Sequence, residues 1–186
     1  MKKILFLVAV IATCTATAQS RYFTKTGKVT FDATTPTSPE KIRASNDNAV
    51  SVIDAGTGAM EFMISMTAFN FEKALMGEHF HENYVESEKY PKCNFKGTVT
   101  NIIEVDLNKD GNYPVNVKGM MTLHGVTKEV TATGTLTTKG GAITAGKSDF
   151  KIQLSDFNVT IPGVVTDKVS KDARIKVDVT YEPVKK

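Results

Sequence analysis

The chain has no tryptophan and only two cysteines in 186 residues, and each shortage narrows what it can be. Cys14 lies in a segment read below as a removable leader, so Cys93 has no internal partner and a disulfide scaffold is excluded. After the first eighteen residues no apolar run approaches the roughly 20 residues of a membrane-spanning helix, so stable insertion by helices is not expected. Charge of one sign is also scarce. The net charge is +3, Lys2 and Lys3 supply two of those charges, and Lys alternates with Asp and Glu through the rest. No basic face or stripe forms, which argues against a nucleic-acid partner. Gly-x-Ser-x-Gly and phosphate-cradling glycine motifs are absent as well.

The N-terminus has the layout of a secretory signal peptide. Lys2 and Lys3 form a positive head, Ile4 to Ile11 an apolar stretch, and Ala16-Thr17-Ala18 a small-x-small cleavage site. The predicted organisation is a signal peptide over 1–18, cut after Ala18, and a single domain over 19–186, placing the mature protein in the periplasm or outside the cell. Ile11-Ala12-Thr13-Cys14 loosely matches a lipobox, so lipidation of Cys14 is the alternative processing route.

What the chain does have is period-two alternation, which puts successive side chains on opposite faces of a strand. Met60, Phe62, Ile64 and Met66 share one face. Tyr113, Val115, Val117, Gly119, Met121 and Leu123 share another, as do Val126, Val130, Ala132 and Leu136, and then Ala173, Ile175, Val177, Val179 and Tyr181. Residues that tolerate positive φ separate these segments at 55–58, 108–112, 124–125 and 139–141. The pattern predicts about eight strands, at 21–32, 49–55, 58–68, 92–106, 112–124, 126–138, 142–154 and 172–183. Long antiparallel strands with one dry face curl and close, since closure removes exposed edges. The expectation is all-β: an extended, antiparallel, eight-stranded lipocalin-like barrel. Thr34 to Asn48 reads as a long polar loop. Phe71 to Pro91 mixes Leu75, Met76 and Phe80 with many glutamates, and reads as one or two short helices between strands three and four, lying across a barrel mouth.

Three constellations suggest chemistry. His79 and His81 with Glu82, and the distant His124, are candidates for a metal-binding protein or hydrolase. Residues two apart on a helix diverge by about 200°, and zinc generally asks for three protein ligands, so a rim position with ordinary hydrogen bonds is the better reading. Asp106, Asn108, Asp110 and Gly111 open like a calcium loop, but the twelfth position is Val117 where Glu is needed, so they read as a hairpin turn. Cys93 alternates with Phe95 and Val99 in a strand and reads as a buried, inert thiol. Neither an enzyme nor a resident cofactor is expected. The dry faces are rich in methionine and phenylalanine, with all but Met1 of seven methionines and all but Phe6 of ten phenylalanines in the mature chain. Methionine fills irregular space and suits a surface that accommodates a flexible chain, and a barrel of about eight strands either fills itself or holds one small ligand.

The run His79-Phe80-His81-Glu82-Asn83-Tyr84-Val85-Glu86-Ser87-Glu88-Lys89-Tyr90-Pro91, followed by Phe95-Lys96-Gly97, resembles the signature of the YceI-like family. So do Gly119 to Lys128 and Ser155-Asp156-Phe157, and the resemblance spans about Tyr22 to Tyr181. It implies a lipocalin-like barrel whose tunnel binds polyisoprenoid or related long-chain lipids, in periplasmic or secreted proteins not established as enzymes. The implied partner is an elongated apolar lipid of polyisoprenoid, isoprenoid quinone or fatty-acid type, and a homodimer is compatible with the sequence. The expected tunnel lining is Met60, Phe62, Ile64, Met66, Phe69, Phe71, Leu75, Phe80, Phe95, Val99, Met121, Leu123, Phe150 and Phe157. His79, His81, Asn83, Tyr84 and Lys89 are expected nearer the mouth. The structural rival is an eight-stranded outer-membrane barrel, which inverts the pattern and turns apolar residues outward. The lack of aromatic girdles, the charged 71–91 insert and the Lys-rich C-terminus oppose it.

Overall fold

Alternating strands become a closed wall in the computed structural model, which describes residues 20–184. The leader, Cys14 and the cleavage point after Ala18 lie outside the described residues. The elements are β1 (Arg21–Thr34), β2 (Arg43–Asp54), β3 (Ala59–Ser65), the two-residue β4 (Asn70–Phe71), helix α1 (Ala74–His79), β5 (Lys92–Val99), β6 (Gly111–Leu123), β7 (Val126–Lys139), β8 (Ala142–Gln153), β9 (Val169–Thr180) and the two-residue β10 (Glu182–Pro183). The eight long strands run β1-β9-β8-β7-β6-β5-β3-β2, and β2 returns to pair with β1, so the strand order closes into a barrel. Every pairing is antiparallel, and β4 and β10 only extend β2 and β1 at the rims.

Turn chemistry sets the register. His124 and Gly125 connect β6 to β7 with φ of 50° and 75°, while Gly140 and Gly141 connect β7 to β8 with φ of 60° and 81°. Positive φ at both central residues matches the right-handed twist of the flanking strands. The pairing Leu123 with Val126 follows, and from it the alignment of every pair down to Gly111 with Thr138. Gly97 and Gly119 face each other across β5 and β6. A Cβ on Gly119 would stand 2.5 Å from the Gly97 Cα and 2.7 Å from the Phe95 ring, so the ring packs over bare backbone.

Three expected boundaries move. The loop expected over 34–48 shrinks, because Arg43 to Asn48 already belong to β2. That stretch has no apolar alternation, yet Asn46 is fully buried; its amide donates to the Ser65 carbonyl at 2.8 Å and its Oδ1 accepts from the Asn48 N–H at 2.9 Å. A buried polar side chain with both functions met is tolerated where an unpaired one is not. The third strand stops at Ser65, since the Met66 N–H turns to the Pro91 carbonyl and a 3₁₀ turn covers Met66–Ala68. The fourth long strand, β5, stops at Val99 rather than near 106. Asn101 takes the Asn116 N–H on its side-chain oxygen and donates to the Pro114 carbonyl, which replaces the ladder with a capped turn.

The dry faces point inward and form two clusters stacked along the barrel. One end is filled: Tyr22, Ile53, Val99, Val115, Leu136, Ile143, Val179 and Tyr181 are all buried there. At its centre the Tyr181 hydroxyl and Ser51 Oγ meet at 2.9 Å, which satisfies two buried polar groups at once. Outward, the wall is charged, with Lys96 3.1 Å from Glu61, Lys118 3.2 Å from Glu129, and Arg174 paired to both oxygens of Asp149 at 2.7 Å. This polarity is the reverse of an outer-membrane barrel, whose exterior is apolar. No helix among the described residues is long and apolar enough to cross a membrane.

Candidate functional site

The open end of the barrel is ringed by three connections: the 35–42 loop between β1 and β2, the 72–91 insert between β4 and β5, and the 154–168 segment between β8 and β9. They are fastened to one another. The Thr35 N–H donates to the Lys168 carbonyl at 3.2 Å, and the hydroxyls of Thr35 and Thr37 donate to the Asp167 carbonyl. Lys73 at the start of the insert pairs with Glu40 of the first loop at 2.6 Å.

The insert is the expected helical lid, with α1 running into a single π-helical turn over Phe80–Tyr84. It is held by aromatic packing on its inner face. Phe80 is 7% exposed, and its ring lies 5.5 Å from Phe31, 5.7 Å from Phe69 and 5.0 Å from Phe71, centroid to centroid, in tilted or edge-on arrangements that suit aromatic quadrupoles. At its far side the insert is tied to the β6–β7 turn. His124 places Nε2 2.7 Å from Glu86 Oε2, and its Nδ1 donates to the Phe157 carbonyl at 3.1 Å. That hydrogen bond from His124 holds the Glu86 carboxyl below the usual carboxylate range. Tyr90 packs edge-on to the His124 ring at 4.8 Å.

Beneath the lid lie two apolar chambers. The outer one has a volume of about 430 Å³ and the inner one about 110 Å³. The outer volume falls within the range of small-molecule sites. Ile64, Cys93, Met121 and Ile175 border both, so the chambers meet at that ring of side chains.

Of the expected lining residues, Met66, Phe69, Phe71, Leu75, Phe80 and Leu123 face the outer chamber. Met60, Phe62, Phe95 and Phe150 face the inner one, and Ile64 and Met121 face both. Val99 and Phe157 border neither. Val99 packs into the filled end, and Phe157, at the end of the 154–157 turn, is buried in the cluster of side chains around the outer chamber. At the mouth, His79 and Tyr84 line the chamber, whereas His81, Asn83 and Lys89 do not. His81 turns Nε2 to the Phe69 carbonyl at 3.2 Å, Asn83 reaches His79 Nδ1 at 3.3 Å, and Lys89 pairs with Glu86 and lies over the Tyr90 ring. Val29, Phe31, Ile42, Ile152, Val159 and Ile161 also line the outer chamber. The alternation of β1 would have pointed to Val29 and Phe31; the loop residues carry no local signal.

The histidines do not converge. Each has its own partner, and no three His, Cys, Asp or Glu side chains among the described residues stand together as a metal site. Cys93 borders the lumen, but burial pushes its thiol up to about 12, so it remains a protonated, apolar wall element. Asp106 accepts from the Asn108 N–H and Asp110 from the Gly140 N–H, which accounts for the calcium-like loop as turn structure.

Known structures share this architecture. A polyisoprenoid binding domain from Saccharophagus degradans, implicated in plant cell wall breakdown, superposes with a TM-score of 0.72 at 13% identity, over 89% of this chain and 99% of that one. BcnA of Burkholderia cenocepacia gives 0.65 at 16% identity over 84% and 96%. The YceI protein of Campylobacter jejuni gives 0.50 at 18% identity over 73% and 81%. At such identities the likeness is one of fold. No curated protein matches the chain significantly. The model of the YceI-like domain does match, over residues 6–181, and the chain therefore belongs to the YceI-like family.

Proposed function

We propose that this protein is an exported carrier or sequestering protein that holds a long-chain apolar lipid in its barrel and does no chemistry on it. The observation that carries the reading is the pair of connected chambers, walled mainly by Phe, Met, Ile, Leu and Val. Removing apolar surface from water yields about 25 cal/mol per Å², and ordering a floppy chain offsets part of it. The family and the fold of the Saccharophagus domain, which is named for polyisoprenoid binding, support this class of ligand. Export to the periplasm or beyond rests on the leader pattern of Lys2, Lys3 and Ala16-Thr17-Ala18. The non-catalytic reading is supported by the lumen, where the cysteine at the junction of the chambers, Cys93, is held by burial as a thiol.

Native mass spectrometry of the purified protein, followed by solvent extraction, should recover an isoprenoid, quinone or acyl lipid. Met121→Trp, which puts an indole at the junction of the chambers, should lower that yield at least severalfold while the barrel stays folded. Recovery of an empty protein that also refuses every added long-chain lipid would overturn the reading.

A further inference from the structure

The outer chamber is apolar except at its mouth, where charged groups from three distant parts of the chain meet. Glu40 of the first loop, Lys73 ahead of α1 and Lys168 ahead of β9 all border it. Lys73 sits 2.6 Å from Glu40, and this hydrogen bond keeps the Glu40 carboxyl below its usual range, with the nearby Lys168 charge adding to the pull. Glu40 thus faces two ammonium groups, and Glu72 acts on Lys73 only through its charge, without a hydrogen bond. Lys73 spends one of its three donors on Glu40, and Lys168 forms no ion pair of its own among the described residues. His79 borders the same rim and accepts from the Asn83 amide through Nδ1, which leaves Nε2 available to a ligand. A neutral alcohol or quinone end at this rim gives Lys168 nothing beyond what water gives it. An anionic end completes the pairing with charge-assisted hydrogen bonds, the stronger kind.

We propose that the outer chamber takes a single-chain lipid with an anionic head, a carboxylate or a phosphate, held at the rim by Lys168 and Lys73 while the chain runs inward to Met121. This rests on the lipid-holding reading above and adds the charge of the head. The delipidated protein is loaded with the neutral apolar dye N-phenylnaphthylamine and titrated with two pairs of competitors: palmitate against hexadecanol, and farnesyl phosphate against farnesol. The anionic member of at least one pair should displace the dye about tenfold more tightly, the scale of one hydrogen bond to a charged group. Which pair separates identifies the head as carboxylate or phosphate. Lys168→Gln should bring that ratio toward one. Glu40→Gln, which removes the carboxylate in direct contact with Lys73, should widen it, an opposite sign that loss of a merely structural contact does not produce. Equal displacement within both pairs, or a ratio untouched by both variants, overturns the anionic head while leaving the carrier reading intact. No displacement by any of the four overturns the carrier reading itself.

Discussion

Tyr181 has two roles at the filled end of the barrel. Its ring plugs the lumen beside Val179 and Leu136, and its hydroxyl satisfies Ser51, which is otherwise buried among apolar groups. Burial pushes the phenol from 10.0 up to about 12, against a smaller opposing effect of the Ser51 hydrogen bond. The folded-state value is raised above the unfolded one, so folding favours the protonated form. The corresponding stability is fully present below pH 10 and drains as pH climbs toward 12. Tyr181→Phe should cost about 1–2 kcal/mol at neutral pH, because Ser51 Oγ loses its partner. The same variant should flatten the alkaline limb of a denaturant-stability profile between pH 10 and 12. A variant whose alkaline limb parallels the parent's would show that this phenol is not buried as described.

Among the elements, the insert is the one whose behaviour separates it from the barrel. It joins the wall through Phe80, through the Lys73 pair with Glu40, and through the Glu86 pair with His124, whereas each long strand is held by backbone ladders to a neighbour on either side. Segments with few buried contacts open at lower free energy than core strands. Phe80→Ala removes the central ring of the aromatic group, a truncation that typically costs about 3–5 kcal/mol in a core. Here the loss should fall on the insert. Amide exchange should rise over residues 74–90 while β6 to β9 keep their protection, and uniform loss of protection would show instead that the insert and wall unfold as one unit. The difference between insert and wall also explains what was legible beforehand. Strands such as β6 and β9 announce themselves because a half-buried wall forces strict alternation, and the His-Phe-rich insert stands out as a break in it. The start of β2 is silent, since Asn46 is buried by hydrogen bonds and not by hydrophobicity. Phe157 and Val99 are apolar and buried, as expected of a tunnel wall, but sequence pattern separates wet from dry without separating core from lumen. Glu40 and Lys168 lie 128 residues apart in number and are joined only by closure of the barrel, so no local pattern could pair them.

At the scale of the molecule, closure sets a capacity. The barrel is blind at the end capped by Tyr22, Leu136 and Tyr181, so a chain entering beneath the lid has only the two chambers to occupy. Taking the roughly 30 Å³ that one water occupies in the liquid as the size of a methylene-like group, the outer chamber of about 430 Å³ holds about fourteen of them and the inner one of about 110 Å³ about four more. Each buried methylene is worth about 0.8 kcal/mol, close to fourfold in affinity. A homologous series of straight-chain lipids should therefore tighten by about fourfold per carbon until roughly fourteen carbons are inside. Beyond that the chain must pass the ring of Ile64, Cys93, Met121 and Ile175, so the increment should shrink toward about eighteen carbons and then vanish, because further methylenes remain in water. Widening the junction by Met121→Ala should extend the steep part of the series by shifting where the increment falls off. A constant increment well past twenty carbons, in parent and variant alike, would mean that the filled end opens to admit the chain and that the barrel is a through-tunnel in solution.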